Sequence, residues 1–313
     1  MNDTPILLPD DLEPTYRGVM PGLGGAPLAY CRWDHLQPKG RIILSHGYGE
    51  HSERYCHTAH WLHALGWSVS AIDHRGFGRS AGIRGDANGI RGFVEELILF
   101  MRQERYHDSP DEPRMVGGVP APAPPSHAQI LIGHSFGGLV ALLALLWHPD
   151  AMEGVVLTSP ALKIQEIGLP MRILQRLLYW FAPHRPLDLP GDKSQVCSDP
   201  ILVQRYWADP LCHHFVTAAF PTALEEGRRI LMGLGTELDR PILLLDAGDD
   251  TVVDAGASED FWASVPPAML ERHRMEGFKH EVLHDVRRQE AQALIAAWLD
   301  RLGNPTAPPA MSV

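Results

Sequence analysis

Short apolar runs and longer amphipathic segments alternate along most of this chain. Leu28 to Trp33 (LAYCRW), Arg41 to Ser45 (RIILS), Trp67 to Ile72 (WSVSAI), Gln129 to Ile132 and Val155 to Thr158 have the length and residue types of strands. Pro241 to Asp246 repeats that signature late in the chain, and Met269 to Met275 carries a weaker form of it. Tyr55 to Leu65, Gly89 to Arg105, Ser135 to Trp147 and Leu283 to Leu302 read as helices. Gly66, the His148-Pro149-Asp150 string and Gly303 supply their stops. From 160 to 235 the pattern changes: no strand is clear, helical patterns dominate and aromatics are scattered.

Strand–helix alternation on both sides of a helical block predicts an α/β fold. Its core is a mostly parallel, doubly wound sheet interrupted by an inserted, mainly helical cap. Residues 1–24 read as an N-terminal tail and lead-in, and 304–313 as a C-terminal tail. The core then comprises 25–159 and 236–303, with the cap at 160–235. The proline-dense string DSPDEPRMVGGVPAPAPPSH (108–127) cannot form a helix interior and reads as an extended surface loop.

Composition narrows the class. The 313 residues are 45% hydrophobic and 21% charged, which is globular. A net charge of −11 argues against a general nucleic-acid binder, because such binding rests on Lys and Arg neutralising phosphates. The longest apolar run, Leu139 to Trp147, is about half of what a bilayer-spanning helix needs. The first residues lack the basic and apolar regions of a secretory signal. Cys31, Cys56, Cys197 and Cys212 show no CxxC pairing and read as free thiols. The expectation is a cytoplasmic protein.

Chemistry concentrates in Gly133-His134-Ser135-Phe136-Gly137, a G-x-S-x-G string with an apolar strand before it and a helix after it. A turn this sharp tolerates only small residues two positions either side of the serine. A nucleophilic serine needs a base, and the base needs a carboxylate to orient it. In this arrangement both follow later strands. Asp246, Asp249, Asp250 and Asp254 compete for the carboxylate, with Asp250 leading and Asp249 next. His280 is placed in a loop, whereas His284 falls inside the following helix. Two backbone N–H groups must face the developing oxyanion. Phe136 supplies one, and the Ser45-His46-Gly47-Tyr48-Gly49 loop supplies the other through Tyr48.

These segments together resemble the monoacylglycerol lipase and lysophospholipase branch of the α/β-hydrolase superfamily. The matching strings are HGYGEHSERY (46–55), DHRGFGRSAGIRG (73–85), GHSFGG (133–138), LLLDAGDDTVVD (243–254) and GFKHEVLHD (277–285), with SDPILVQRYWADPLCHHFVTA (198–218) in the cap. The resemblance runs from about residue 25 to 302. It implies Ser135, Asp250 and His280 as a triad, with Tyr48 and Phe136 as oxyanion donors. Asp73 in the 73–80 turn is read as structural. The 108–127 insert is long for the family.

The cap helix GLPMRILQRLLYWFA (168–182) places Ile173, Leu174, Leu177, Leu178 and Phe181 on one face. That face is expected to line an acyl-chain site or rest on a membrane surface. The expected reaction is hydrolysis of a lipid ester with one acyl chain, a monoacylglycerol or lysophospholipid, with no cofactor. The alternatives are a small-ester carboxylesterase, an aminopeptidase using Glu166, Glu225 or Glu226 to hold a substrate ammonium, and a non-catalytic hydrolase-like binding protein. His51, His57, His60 and His63 raise a zinc reading. No HExxH or structural-zinc spacing accompanies them, so no metal and no sensitivity to chelators are expected.

Overall fold

The computed structural model describes residues 12–87, 89–108, 114–116, 119–121, 128–163, 169–188 and 193–303. Eight strands build one sheet: β1 (Tyr16–Pro21), β2 (Pro27–Trp33), β3 (Arg41–Ser45), β4 (Ser68–Ile72), β5 (Gln129–His134), β6 (Gly154–Thr158), β7 (Ile242–Ala247) and β8 (Leu270–Met275). Their spatial order is β1-β2-β4-β3-β5-β6-β7-β8. From β4 onward the pairs are parallel, while β2 runs antiparallel to both β1 and β4.

The continuous apolar runs follow from burial on both faces of the sheet. Successive side chains point to opposite faces. Ile43, Leu131, Val155, Leu157 and Leu244 enter one core, with α2 (Ile90–His107), α3 (Ser135–Trp147) and α7 (Glu259–Ser264). Ile42, Leu44, Ile130, Ile132, Val156 and Leu243 enter the other, with α1 (Cys56–Ala64) and α8 (Arg288–Gly303). Helix α3 is buried from Ser135 through Leu145, which explains a composition too apolar for a one-sided surface helix.

The predicted α/β architecture is the one observed. Several local expectations are corrected. Residues 16–21, assigned to the lead-in, form β1. It is a largely exposed edge strand containing Gly18 and Pro21, so it lacks the pattern of a buried strand. The closing helix starts at Arg288 rather than Leu283, because Asp285 Oδ1 accepts the Arg287 N–H (2.8 Å) and turns the chain there. His284 therefore lies in a separate single turn, Val282–His284. Inside the insert, 114–116 pairs antiparallel with 119–121, and the rest of 109–127 lies outside the described residues.

Between β6 and β7 come α4 (Leu169–Phe181), α5 (Pro200–Ala208) and α6 (Phe220–Leu231). Two short antiparallel strands, Pro186–Asp188 and Phe215–Thr217, also occur in this strandless-looking stretch. Their three-residue length hides them from any periodicity test. Helix α6 packs on α3 through Phe220, Ala223, Leu224 and Leu231. Gly227 allows the approach, since a Cβ there would stand 3.0 Å from the Leu139 side chain.

At the start of β3 the sheet carries a buried ionic cluster. The fully buried Arg41 guanidinium donates to Asp108 (2.6 and 2.8 Å), Asp34 (2.7 Å) and Ser70 (2.6 Å). Arg32 forks onto Glu104 (2.8 and 2.7 Å), which also accepts from Ser70 (2.6 Å). Burial alone would raise the Asp34 pKa, but attraction and hydrogen bonding from Arg41 outweigh it and hold it below the ordinary value. Replacing Arg41 by Met is expected to destabilise the fold by about 3–5 kcal/mol, because the buried Asp34 and Asp108 carboxylates lose their guanidinium partner. Urea denaturation at pH 7 measures this. The Asp34 share of stability is complete above its unfolded pKa of roughly 3.9 and is lost as pH falls through its lower folded value.

Candidate active site

The turn from β5 into α3 is so tight that its residues are dictated by space. A Cβ at Gly137 would overlap the carbonyl oxygens of Ser45 and His46. A Cβ at Gly133 would stand 2.6 Å from the Gly137 carbonyl oxygen, and one at Gly138 2.9 Å from Pro160. Ser135 itself has φ of 51°, a left-handed conformation that a non-glycine residue adopts only when its surroundings force it. The Ser135 carbonyl is tied to the Ala161 N–H at 2.9 Å.

Ser135 Oγ lies 2.8 Å from His280 Nε2, and His280 Nδ1 lies 2.7 Å from Asp250 Oδ2. Both partners arrive on the loops after β7 and β8. The other Asp250 oxygen accepts the Val252 and Val253 N–H groups at 2.8 and 2.9 Å. Burial would raise the Asp250 pKa. The His280 hydrogen bond and charge, with those two N–H groups, instead hold it below the usual carboxylate value. Three competitors sit elsewhere: Asp246 is paired with Arg272 (2.7 Å), Asp249 is exposed, and the Asp254 backbone is bound to Lys163. His284 is turned away, its Nε2 3.3 Å from the Arg54 carbonyl oxygen. The His134 ring lies 4.9 Å from that of His280 and carries no charge at neutral pH, since burial and His280 push its pKa down to about 4.

The 46–50 loop abuts this chain of groups. A Cβ on Gly47 would stand 3.5 Å from Ser135 Cβ. His46 Nε2 accepts the His74 N–H (3.0 Å), so its proton sits on Nδ1 and is donated to the Gly47 carbonyl (2.7 Å). In a trans peptide the C=O and the following N–H point in opposite directions. Anchoring the Gly47 carbonyl therefore aims the Tyr48 N–H away from His46. Phe136 N–H lies in the first turn of α3, where no intrahelical acceptor exists. The Tyr48 hydroxyl donates to Gly85 O (2.7 Å), and its ring packs on Phe220, His213, Phe77 and Phe136.

The carboxylate of Glu50 accepts the Gly47 N–H (2.6 Å) and the Tyr55 hydroxyl (2.8 Å), and pairs with Arg54. Burial would raise its pKa, but Arg54 holds it well below the ordinary value. Arg54 also reaches Glu281 at 3.0 Å. Sequence reading missed these three residues. Glu50 and Arg54 are visible only as charges four apart, and nothing linear pairs them with Glu281. Asp73 proves to be a scaffold: its oxygens accept the Ser52 and Arg79 N–H groups, both at 2.8 Å.

The side chains of Ile173 and Leu174 lie outside the described residues. Leu177 and Phe181 are 52% and 84% exposed, Trp180 is 73% exposed, and Leu178 is half-buried. Residues 177, 180 and 181 share one face of α4 and form open apolar surface. Among the histidines of the zinc reading, His57 Nε2 is bound to the Leu283 carbonyl (2.9 Å) and the His63 ring packs at a tilt against His35. Among the described residues, His51, Asp209 and Cys212 have potential ligand atoms within 4.8 Å of one another. Within this group His51 pairs directly with Asp209 (2.8 Å).

A sheet of this order, with a serine on a strained strand-to-helix turn and a carboxylate–imidazole pair on later loops, defines the α/β-hydrolase class. A family model described as serine aminopeptidase, S33, matches residues 36–287. The chain is 29% identical to a monoacylglycerol lipase of Mycolicibacterium smegmatis, over 89% of this chain and 94% of that one. It is 30% identical to the monoglyceride lipase of Rattus norvegicus, over 82% and 80% respectively. A soluble variant of the Saccharomyces cerevisiae monoglyceride lipase, solved with a substrate analogue, superimposes with a TM-score of 0.80 at 19% identity, over 96% of this chain and 99% of that one. The chain belongs to the serine aminopeptidase S33 family of α/β-hydrolases, in the branch that holds the monoglyceride lipases.

Gly137→Ala tests the crowding at the turn. It is expected to cost at least about 1–3 kcal/mol, since the added methyl meets fixed backbone oxygens rather than a movable side chain. Thermal melting, with fluorophosphonate labelling of Ser135 as a readout of the local geometry, measures it.

Proposed function

We propose that this chain is a serine carboxylic ester hydrolase acting on lipid esters with a single acyl chain, such as a monoacylglycerol or a lysophospholipid. The observation that carries the mechanism is the continuous Ser135–His280–Asp250 hydrogen-bond chain at 2.8 and 2.7 Å, built on the strained Ser135 backbone. The relatives' names support the substrate class.

His280 Nε2 takes the Ser135 proton as Oγ attacks the ester carbonyl. Asp250 accepts from Nδ1–H, holds the imidazole in that tautomer and stabilises the imidazolium that forms. The Tyr48 and Phe136 N–H groups receive the oxyanion. His280 then gives its proton to the departing alcohol, leaving an acyl group on Ser135. Water, activated by His280, attacks the acyl-enzyme and releases the fatty acid. The 160–235 segment acts as the cap. Its exposed Leu177, Trp180 and Phe181 offer an apolar face for peripheral contact with a lipid surface. Among the described residues no helix is long and apolar enough to cross a membrane.

An aminopeptidase reading finds less support. Glu225 lies 3.5 Å from Arg228, Glu226 faces the Ile90 N–H at 3.4 Å, and Glu166 lies outside the described residues.

Ser135→Ala is expected to abolish hydrolysis of p-nitrophenyl esters with an unchanged thermal midpoint. Asp250→Asn should lower kcat by roughly 10⁴-fold. Rates across acyl-chain length, run beside aminoacyl anilides, test the substrate class. Preference for medium or long chains is expected, whereas faster anilide cleavage would overturn it. Flotation with phospholipid vesicles tests the cap: the Trp180→Ser/Phe181→Ser double variant should bind less than the parent, with its turnover of soluble esters retained.

A further inference from the structure

The two halves of the proposed machinery arrive on different loops. The Tyr48 N–H follows β3 and His280 follows β8. Glu50, Arg54 and Glu281 form a buried carboxylate–guanidinium–carboxylate bridge between those loops. Glu50 is 2% exposed and Glu281 3%, and the Arg54 side chain only 7%. At one end, Glu50 Oε1 accepts the Gly47 N–H at 2.6 Å, one peptide before the Tyr48 N–H. The Tyr55 hydroxyl (2.8 Å) fixes the same oxygen. In the middle, Arg54 pairs with the other Glu50 oxygen and reaches both oxygens of Glu281 at 3.4 and 3.0 Å. At the far end, Glu281 directly follows His280, and its own N–H is held by the Val196 carbonyl (2.9 Å).

Charges are removed from water at this cost only where they satisfy one another. A guanidinium offers a planar fork that holds two carboxylates at set angles, which a lysine ammonium cannot do. We infer that Glu50 and Arg54 are positioning residues for the hydrolytic reaction: through Glu281 they hold the Tyr48 N–H and His280 at the separation that oxyanion stabilisation and proton transfer require together. Neither side chain needs to touch the acyl group. The bridge also meets the 160–235 segment, because the Arg54 guanidinium lies over the Tyr206 ring of α5 at 5.1 Å and Val196 anchors Glu281. The described contacts of that segment therefore bear on the same strut.

This inference rests on the roles proposed for Ser135, His280 and Tyr48. Its test is steady-state hydrolysis of a p-nitrophenyl ester, normalised by fluorophosphonate active-site titration, so that the rate per competent site is separated from the fraction folded. Glu50→Ala is expected to lower kcat about 100-fold with KM within about 3-fold, as displacement of catalytic groups by an ångström does. Glu50→Gln retains an acceptor for the Gly47 N–H and should recover part of that loss. Arg54→Lys and Glu281→Gln act from the middle and far end, and should each lower kcat about 10-fold at similar KM. They serve as the test if Glu50→Ala fails to fold. Variants whose per-site kcat stays within 3-fold of the parent, with only the titrated fraction or the thermal midpoint reduced, would overturn the inference and leave a purely structural bridge. Ser135→Ala run alongside separates the two readings: turnover surviving there sinks the proposed nucleophile whatever the bridge does.

Discussion

Everything at the centre of this molecule depends on how closely α3 can approach the ends of β3 and β5. The approach leaves no room for a Cβ at Gly133 or Gly137 and drives Ser135 to φ of 51°. A strained residue persists only where its surroundings over-determine it. Here those surroundings are a helix buried from Ser135 through Leu145, the Pro160–Gly138 contact and the Ala161 N–H on the Ser135 carbonyl. The hydrophobic burial of α3 thus supplies the force that holds a strained geometry in place. The serine stands at the start of the most buried helix for that reason.

Buried charge does complementary work at the two ends of β3. Before the strand, Arg41 gathers Asp34, Asp108 and, through Ser70, Glu104, tying strands β3 and β4 to the end of α2. After the strand, Glu50 and Arg54 connect the loop that carries Tyr48 to the residue beside His280. Apolar packing is non-directional and can set distances only through volume. Charge-assisted hydrogen bonds set angles as well. The first cluster fixes the scaffold, and the second fixes the 46–50 loop relative to the loop that carries His280.

The apolar face of α4 sits apart from both. Leu177, Trp180 and Phe181 expose large side chains on one side of a helix that carries little charge there. In a protein whose net charge is −11, an anionic surface would repel most of the molecule, and a local apolar face is the kind of surface able to approach lipid. The aromatic cluster of Tyr48, Phe77, Phe136, His213 and Phe220 links the same inserted segment to the 46–50 loop.

Local pattern was enough to read the sheet strands from β2 onward, the main core helices and the strand–Gly-x-Ser-x-Gly–helix string, because each rests on periodicity or on steric demands within a few residues. It also narrowed the carboxylate to four aspartates and the histidine to the loop after the last strand. Tertiary structure set Asp250 against His280, since Asp246, Asp249, Asp250 and Asp254 differ only in what surrounds them. It alone showed β1, whose edge position leaves it without a burial pattern, and the short strands flanking the helices after β6. The Glu50–Arg54–Glu281 bridge was beyond linear reading for a sharper reason. A charged residue looks solvated in sequence unless its partner is known, and here the partner lies 227 positions away. The chain itself thus specified the strained turn at Ser135 by sterics. The distances between Ser135, His280 and Asp250 came from long-range contacts.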